Sequence, residues 1–218
     1  MSQTLSAKEI VETFLQIQAI KINPKNPFTY ASGNKGPIYC DGRLVISRPE
    51  FRGKVADTFA EKIKIEFPGV EVISGVATGS IAIASLVADR LNLPLIYYRK
   101  PKDHGTGKTV EGVLEKGQKV VVIEDTANTG GSSLAAINGL KQNGAEVLGL
   151  AVQFTYSFPV SIENFKNAGI KLLALSSFAD LITSLESNEN FKKEEIMAVK
   201  DWFENPKKWS ENYLTSSF

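Results

Sequence analysis

Among 218 residues there is one cysteine, Cys40, and one histidine, His104. A lone cysteine excludes an internal disulfide and a cysteine-ligated zinc cluster, and reads as a small packed side chain rather than a nucleophile. A lone histidine leaves histidine-rich metal sites and a Ser/His/Asp triad with one candidate member. Charge of one sign is missing too: 25 basic residues stand against 24 acidic ones, which is no footprint for a nucleic-acid groove or a membrane surface. No apolar run approaches membrane-spanning length, and Lys8, Glu9 and Glu12 interrupt what would be a secretory core, so a cytoplasmic protein is expected. There is no repeat or low-complexity segment, and the length suits one domain with a sizeable core.

What is present is concentrated in Val120-Val121-Val122-Ile123-Glu124-Asp125-Thr126-Ala127-Asn128-Thr129-Gly130-Gly131-Ser132-Ser133. Four β-branched residues predict a strand covered on both faces, and Leu134, Ala135, Ala136, Ile137 and Leu140 resume at helical spacing. Residues 129–133 therefore open a helix, where unpaired N–H groups and the dipole favour a phosphate. Glu124 and Asp125, at the carboxyl end of the strand, face the same crevice and suit two neighbouring sugar hydroxyls. Alone, Thr-Gly-Gly-Ser would be an ordinary strand-to-helix turn. The preceding acid pair makes it a candidate ribose-phosphate site. There is no Gly-x-Gly-x-x-Gly for a dinucleotide and no Lys after the glycines for a Walker loop. The segment resembles the signature of the type I phosphoribosyltransferases. That resemblance implies phosphoribosyl pyrophosphate (PRPP) as ligand, with Glu124 and Asp125 on the ribose hydroxyls and a cradle drawn from Thr126, Ala127, Asn128, Thr129, Gly130, Gly131 and Ser132. Asn128 departs from the usual Ser or Thr but keeps a donor.

Along the chain, Ser6 with Glu9 is a capping box opening a helix that directs Ile10, Phe14, Ile17 and Ile20 inward, an addition to the main sheet. Two short strands are expected around the turn at 32–36, and a second capping box, Ser47 with Glu50, should open a helix reaching about Phe67. Strands at 71–76, 93–98, 119–123 and 146–154 alternate with helices at 81–91 and 133–143, the pattern of a mostly parallel sheet with right-handed crossovers. The region 178–209 reads as helices without a chemical signal. The whole is expected to be a single α/β domain: an N-terminal helix and hood at 1–48, a core at 49–177 and a helical tail at 178–218.

Residues 99–108 hold Arg99, Lys100, Lys102, Lys108 and His104 around two glycines, with no apolar periodicity. Such cations on a closing loop would stabilise charge growing on a departing pyrophosphate, although a plain solvated loop is the alternative. This loop, with Val110-Glu111-Gly112, resembles that of orotate phosphoribosyltransferases. So do Pro27-Phe28-Thr29-Tyr30 with Ser32-Gly33, Pro37-Ile38-Tyr39-Cys40-Asp41-Gly42-Arg43, Gly75-Val76-Ala77-Thr78-Gly79 and Phe154-Thr155-Tyr156, in that family's order. The resemblance implies a homodimer in which Arg99, Lys100, Lys102 and His104 serve PRPP, Lys102 and His104 reaching the neighbouring subunit's site. Ala77 and Thr78 would form the pyrophosphate turn, a place a simple helix N-cap would also fit.

For the base, Asn128, Tyr39, Cys40 and Arg43 are the candidates, with Arg43 or Lys35 supplying charge for a carboxylate. Phe28 and Tyr39 fit ordinary packing equally well. Two places where relatives carry substrate-holding cations have Ala31 and an Arg-free segment at 152–158, which leaves the carboxylate partner open. The implied reaction joins orotate to PRPP, giving orotidine 5'-monophosphate and pyrophosphate, with Lys102, His104 and Asp125 as catalytic groups. Mg2+ would be held mainly through substrate oxygens and water, without a protein cage. The rival readings are transfer to another base, or a PRPP-sensing regulator, which would need a DNA-binding module or a basic face that this neutral chain lacks.

Overall fold

The run 120–123 forms a strand because β-branched side chains fit a pleated surface covered from both sides. In the computed structural model, which describes residues 4–30, 32–100 and 108–216, that strand is the axis of the sheet. The elements in chain order are α1 (Ala7–Gln16), β1 (Ile20–Ile22), β2 (Phe28–Thr29), β3 (Lys35–Gly36), β4 (Ile38–Cys40), a 3-10 turn (Gly42–Ser47), α2 (Pro49–Glu66), β5 (Val72–Val76), α3 (Ile81–Leu91), β6 (Leu95–Tyr98) and β7 (Val110–Glu111). There follow β8 (Lys119–Ala127), α4 (Gly131–Gln142), β9 (Glu146–Thr155), α5 (Pro159–Asn167), β10 (Lys171–Ser177), α6 (Phe178–Glu186), α7 (Lys193–Glu204) and α8 (Pro206–Ser216).

The main sheet runs in the order β10-β9-β8-β5-β6-β7, parallel throughout except for the antiparallel edge strand β7. The mostly parallel α/β architecture is as expected. Alternation along β8 sends Val121 and Ile123 into one core, with α1, α2, α3 and the tail helices, and Val120 and Val122 into a second core with α4 and Phe165 of α5. The sequence order switches at β5 and β8, and there, beyond the carboxyl ends of the strands, open α/β sheets bind their ligands.

Several expectations need correction. The Ser6–Glu9 capping box forms, but α1 is no mere addition, since Ile10, Val11 and Phe14 are fully buried in the first core. Ser47 caps nothing: it ends the 3-10 turn, Arg48 precedes α2 without a side-chain cap, and Glu50 instead binds Lys54 at 2.8 Å. The expected stripe of Phe51, Val55, Phe59 and Ile63 is buried. The hood hairpin closes differently. β2 pairs with β3, and β4, after Pro37, turns away to pair with β1. β8 continues past Ile123 to Ala127, and α4 starts at Gly131 rather than 133. Finally, β9 is not the last strand: α5 and β10 add a further crossover before the tail helices. Among the described residues no helix is long and apolar enough to cross a membrane.

Candidate active site

β8 delivers the two acids, and strand alternation decides where each points. Glu124, on the face of Val120 and Val122, is only 8% exposed and accepts from Ser132 Oγ at 3.1 Å and, more tightly, from Ser133 Oγ. Burial pushes its carboxyl above the ordinary range, the Ser133 hydroxyl opposing that shift. Asp125, on the other face, lines a cleft of about 340 Å3 together with Cys40, Asp41, Arg43, Ile46, Thr78 and Gly79. Its carboxyl is also raised by burial, and is partly restrained by its bond from Thr126 N–H at 2.8 Å and by the Arg43 charge. The two acids therefore have different surroundings. They straddle the end of the strand, one under the α4 N-terminus and one in the cleft.

The small-residue turn follows. Thr126 and Ala127 remain in the β8 ladder opposite Phe154 and Thr155, and the Ala127 carbonyl accepts Tyr156 N–H at 3.0 Å. The loop proper is therefore Asn128 to Gly130, with Asn128 and Thr129 exposed and Asn164 Nδ2 of α5 donating to the Thr129 carbonyl at 3.0 Å. Gly130 is the N-cap of α4 at φ +85°, and a Cβ there would meet Phe165 at 2.9 Å. Only glycine suits that combination. The N–H groups of Gly131, Ser132 and Ser133 are the first-turn donors of α4, positioned for an anion.

On the opposite rim, the Ala77–Thr78 peptide bond is cis, and Ala77 N–H donates to the Tyr98 carbonyl at 2.8 Å, which sets the turn beside Arg99. Arg99 Nε binds Glu111 Oε1 at 2.8 Å, so the Val110-Glu111-Gly112 segment orients the first cation of the loop. Lys100 is exposed at the edge of the described region. Lys102 and His104 lie outside the described residues, as does Ala31.

For the base, Cys40 and Arg43 line the cleft, whereas Tyr39 points from the other side of β4, its ring 5.7 Å from that of Phe28. Burial, reinforced by the neighbouring Asp125 and Asp41, pushes the Cys40 thiol well above its ordinary value, which suits packing and not nucleophilic attack. Lys35 Nζ is committed to Thr29 Oγ1 at 2.8 Å, outside the cleft lining. Sequence reasoning missed Asp41, which accepts Arg43 Nε and Nη2, each at 2.7 Å, and is held below the usual carboxylate range chiefly by that bond. The Asp-Gly-Arg spacing was the available signal. Gly42 lets this turn approach: a Cβ there would lie 3.0 Å from Asp125 Cβ and 3.2 Å from Gln153 Nε2. Gly79 likewise separates Arg43 from Asp125. Among the described residues no three His, Cys, Asp or Glu side chains form a metal cage.

The phosphoribosyl transferase domain family matches residues 49–159. An orotate phosphoribosyltransferase of Streptococcus sanguinis is 48% identical over 200 residues, 91% of this chain and 95% of its own length. That of Cytophaga hutchinsonii is 44% identical over 203 residues, covering 93% and 97%. Among solved structures, orotate phosphoribosyltransferase from Aeropyrum pernix superposes with a TM-score of 0.72 at 26% identity, over 82% of this chain and 99% of that one. The fold is accordingly that of the type I phosphoribosyltransferases. Such relatives, matched over more than nine-tenths of their length, make the chain a member of the orotate phosphoribosyltransferases.

Proposed function

We propose that the chain transfers the phosphoribosyl group of PRPP to orotate, releasing pyrophosphate and forming orotidine 5'-monophosphate, as a cytoplasmic homodimer. The observation that carries the reading is the junction of β8 and α4, where two acids, the buried Glu124 and the half-buried Asp125, precede the first-turn donors of a helix. The N–H groups of Gly131 to Ser133 take the 5'-phosphate, with Asn128 and Thr129 at its edge. Asp125 accepts from a ribose hydroxyl in the cleft. Glu124 does so by exchanging its Ser132 bond for a sugar donor, since Ser132 is exposed and free to turn outward. The pyrophosphate then lies toward Ala77, Thr78 and Arg99.

Departure of pyrophosphate leaves oxocarbenium character on the sugar carbon, and a base nitrogen attacks from the opposite face. No protein nucleophile is needed, which agrees with the protonated, packed Cys40. Arg99, preset by Glu111, and the lid residues Lys100, Lys102 and His104 meet the growing charge while water is excluded. Arg43 has two of its donors on Asp41 and its remaining ones for the base carboxylate, with Cys40 packed beside it.

The donor set fits Mg2+ held through substrate: Asp125 offers a hard oxygen at the cleft, while Asp41 is engaged by Arg43. Asp125 and the bound substrate's oxygens would hold the ion, which would supply positive charge to offset that of the leaving group. A spectrophotometric assay of orotate consumption with PRPP, with and without Mg2+ and beside uracil and purine bases, tests the reading. Loss of orotate absorbance dependent on both additions is expected. Turnover of a different base alone would overturn it.

A further inference from the structure

The tail helices carry no chemical signal in the sequence, yet α8 is bonded to the hood. Ser210, 3% exposed on α8, accepts the backbone N–H of Lys35 through Oγ at 2.8 Å. Tyr213, one turn later, donates its hydroxyl to the Lys25 carbonyl at 3.0 Å. These bonds grip the chain on both sides of the β2–β3 hairpin, Lys25 lying before β2 and Lys35 within β3. That hairpin needs an outside hold. Its ladder is a two-stranded ribbon with two residues in each strand, and such ribbons are marginal by themselves.

The grip reaches the cleft through β4. Trp202 of α7, buried, stands with its ring centroid 6.1 Å from that of Tyr30 in the hairpin, and the Tyr30 hydroxyl donates to the Ile38 carbonyl at the start of β4. β4 then leads through Cys40 into Asp41 and Arg43 on the cleft wall. A shift of the hairpin would therefore be felt first at the wall facing the base, whereas the phosphate cradle is built from the β8–α4 junction, which the tethers do not touch.

We infer that α8 is a positioning element for the base subsite, with Ser210 and Tyr213 holding the hood hairpin so that the 40–43 wall is preset for orotate. The inference rests on the reading that the cleft takes that base. In the double variant Ser210→Ala/Tyr213→Phe, two tethers of ordinary strength are lost, and KM for orotate should rise about tenfold. KM for PRPP and kcat should stay within about twofold, as for loss of ground-state positioning at one subsite. Glu211→Ala, an exposed change on the same helix, serves as the control and should match the parent.

Amide hydrogen exchange supplies a second readout independent of substrate. Exchange in residues 25–40 should accelerate about tenfold in the double variant while β5 and β8 stay protected. If the double variant melts below the assay temperature, the single Tyr213→Phe change, at a half-exposed residue, gives the same comparison at smaller amplitude. Equal losses for both substrates, or faster exchange with unchanged KM for orotate, would overturn the positioning role. A parent chain that leaves orotate unconsumed would sink the assigned reaction and this substrate with it. An active parent with unaltered variants would sink the tether alone.

Discussion

The proposed phosphate cradle can be tested at Gly130, where two costs of different origin coincide. An alanine at φ +85° occupies left-handed backbone, at about 1–2 kcal/mol. Its Cβ would also meet the Phe165 ring at 2.9 Å, and Phe165 is buried in the second core, so the ring has little room to retreat. Overpacking of that kind costs about 1–3 kcal/mol. Gly117 separates the two terms: its φ is +87°, yet nothing lies within 4 Å of a built Cβ. Gly117→Ala should then show only the backbone term, partly offset by about 0.4–1 kcal/mol from a stiffer unfolded chain. Gly130→Ala should be less stable than Gly117→Ala by about 2 kcal/mol, or roughly 4–8 °C in melting temperature for a chain of this size. Adding Phe165→Leu should recover part of the difference, a non-additivity expected of residues in contact. Urea unfolding with an unchanged slope gives the energies, and calorimetric titration with PRPP gives the function. Displacing the first-turn donors of α4 should weaken PRPP about tenfold in Gly130→Ala and leave Gly117→Ala unaffected. Equal stability of the two variants, or equal affinity, would refute the account of this turn.

Other outcomes follow from the acids and the lid. Burial raises the Glu124 carboxyl, so its contribution to stability is complete below its ordinary value, about 4.3, and is lost as pH rises through the folded-state value. Glu124→Gln should therefore be the more stable protein at pH 7 by on the order of 1 kcal/mol, its advantage shrinking toward pH 4, while it binds PRPP more weakly. Urea midpoints that do not differ at pH 7 would contradict this. Gln153 Oε1 is buried without a partner among the described residues, so Gln153→Met should raise the melting temperature, and a fall would point to a hydrogen bond made there in solution. Asp125→Asn and Lys102→Ala should each lose most activity without unfolding. If the lid acts across a dimer, an equal mixture of the two, reassorted, should regain about a quarter of parental activity, whereas a lid acting within its own subunit regains none.

The sequence alone determined the elements whose patterns are local. The β-branched run of β8, the helical stripe of α2 and the Ser6–Glu9 box each follow from side chains a few residues apart, and the acid pair followed by Thr129-Gly130-Gly131-Ser132 marks the proposed ribose-phosphate site by chemistry that is contiguous in the chain. What depends on distant partners was settled only in three dimensions. The extension of β8 through Ala127 needs Phe154 and Thr155 alongside, and it is this that sends Glu124 and Asp125 to opposite faces of the strand. Ser47 satisfies a capping pattern, but the turn before it uses the residue otherwise. β10, lacking a strong pattern, forms because β9 offers it an edge. Arg99 meets Glu111, Asp41 meets Arg43 beside Asp125, and Ser210 meets Lys35 across most of the chain's length. Hydrogen bonds and clefts between elements arise from how the elements pack, and side-chain spacing within any one of them carries no record of that.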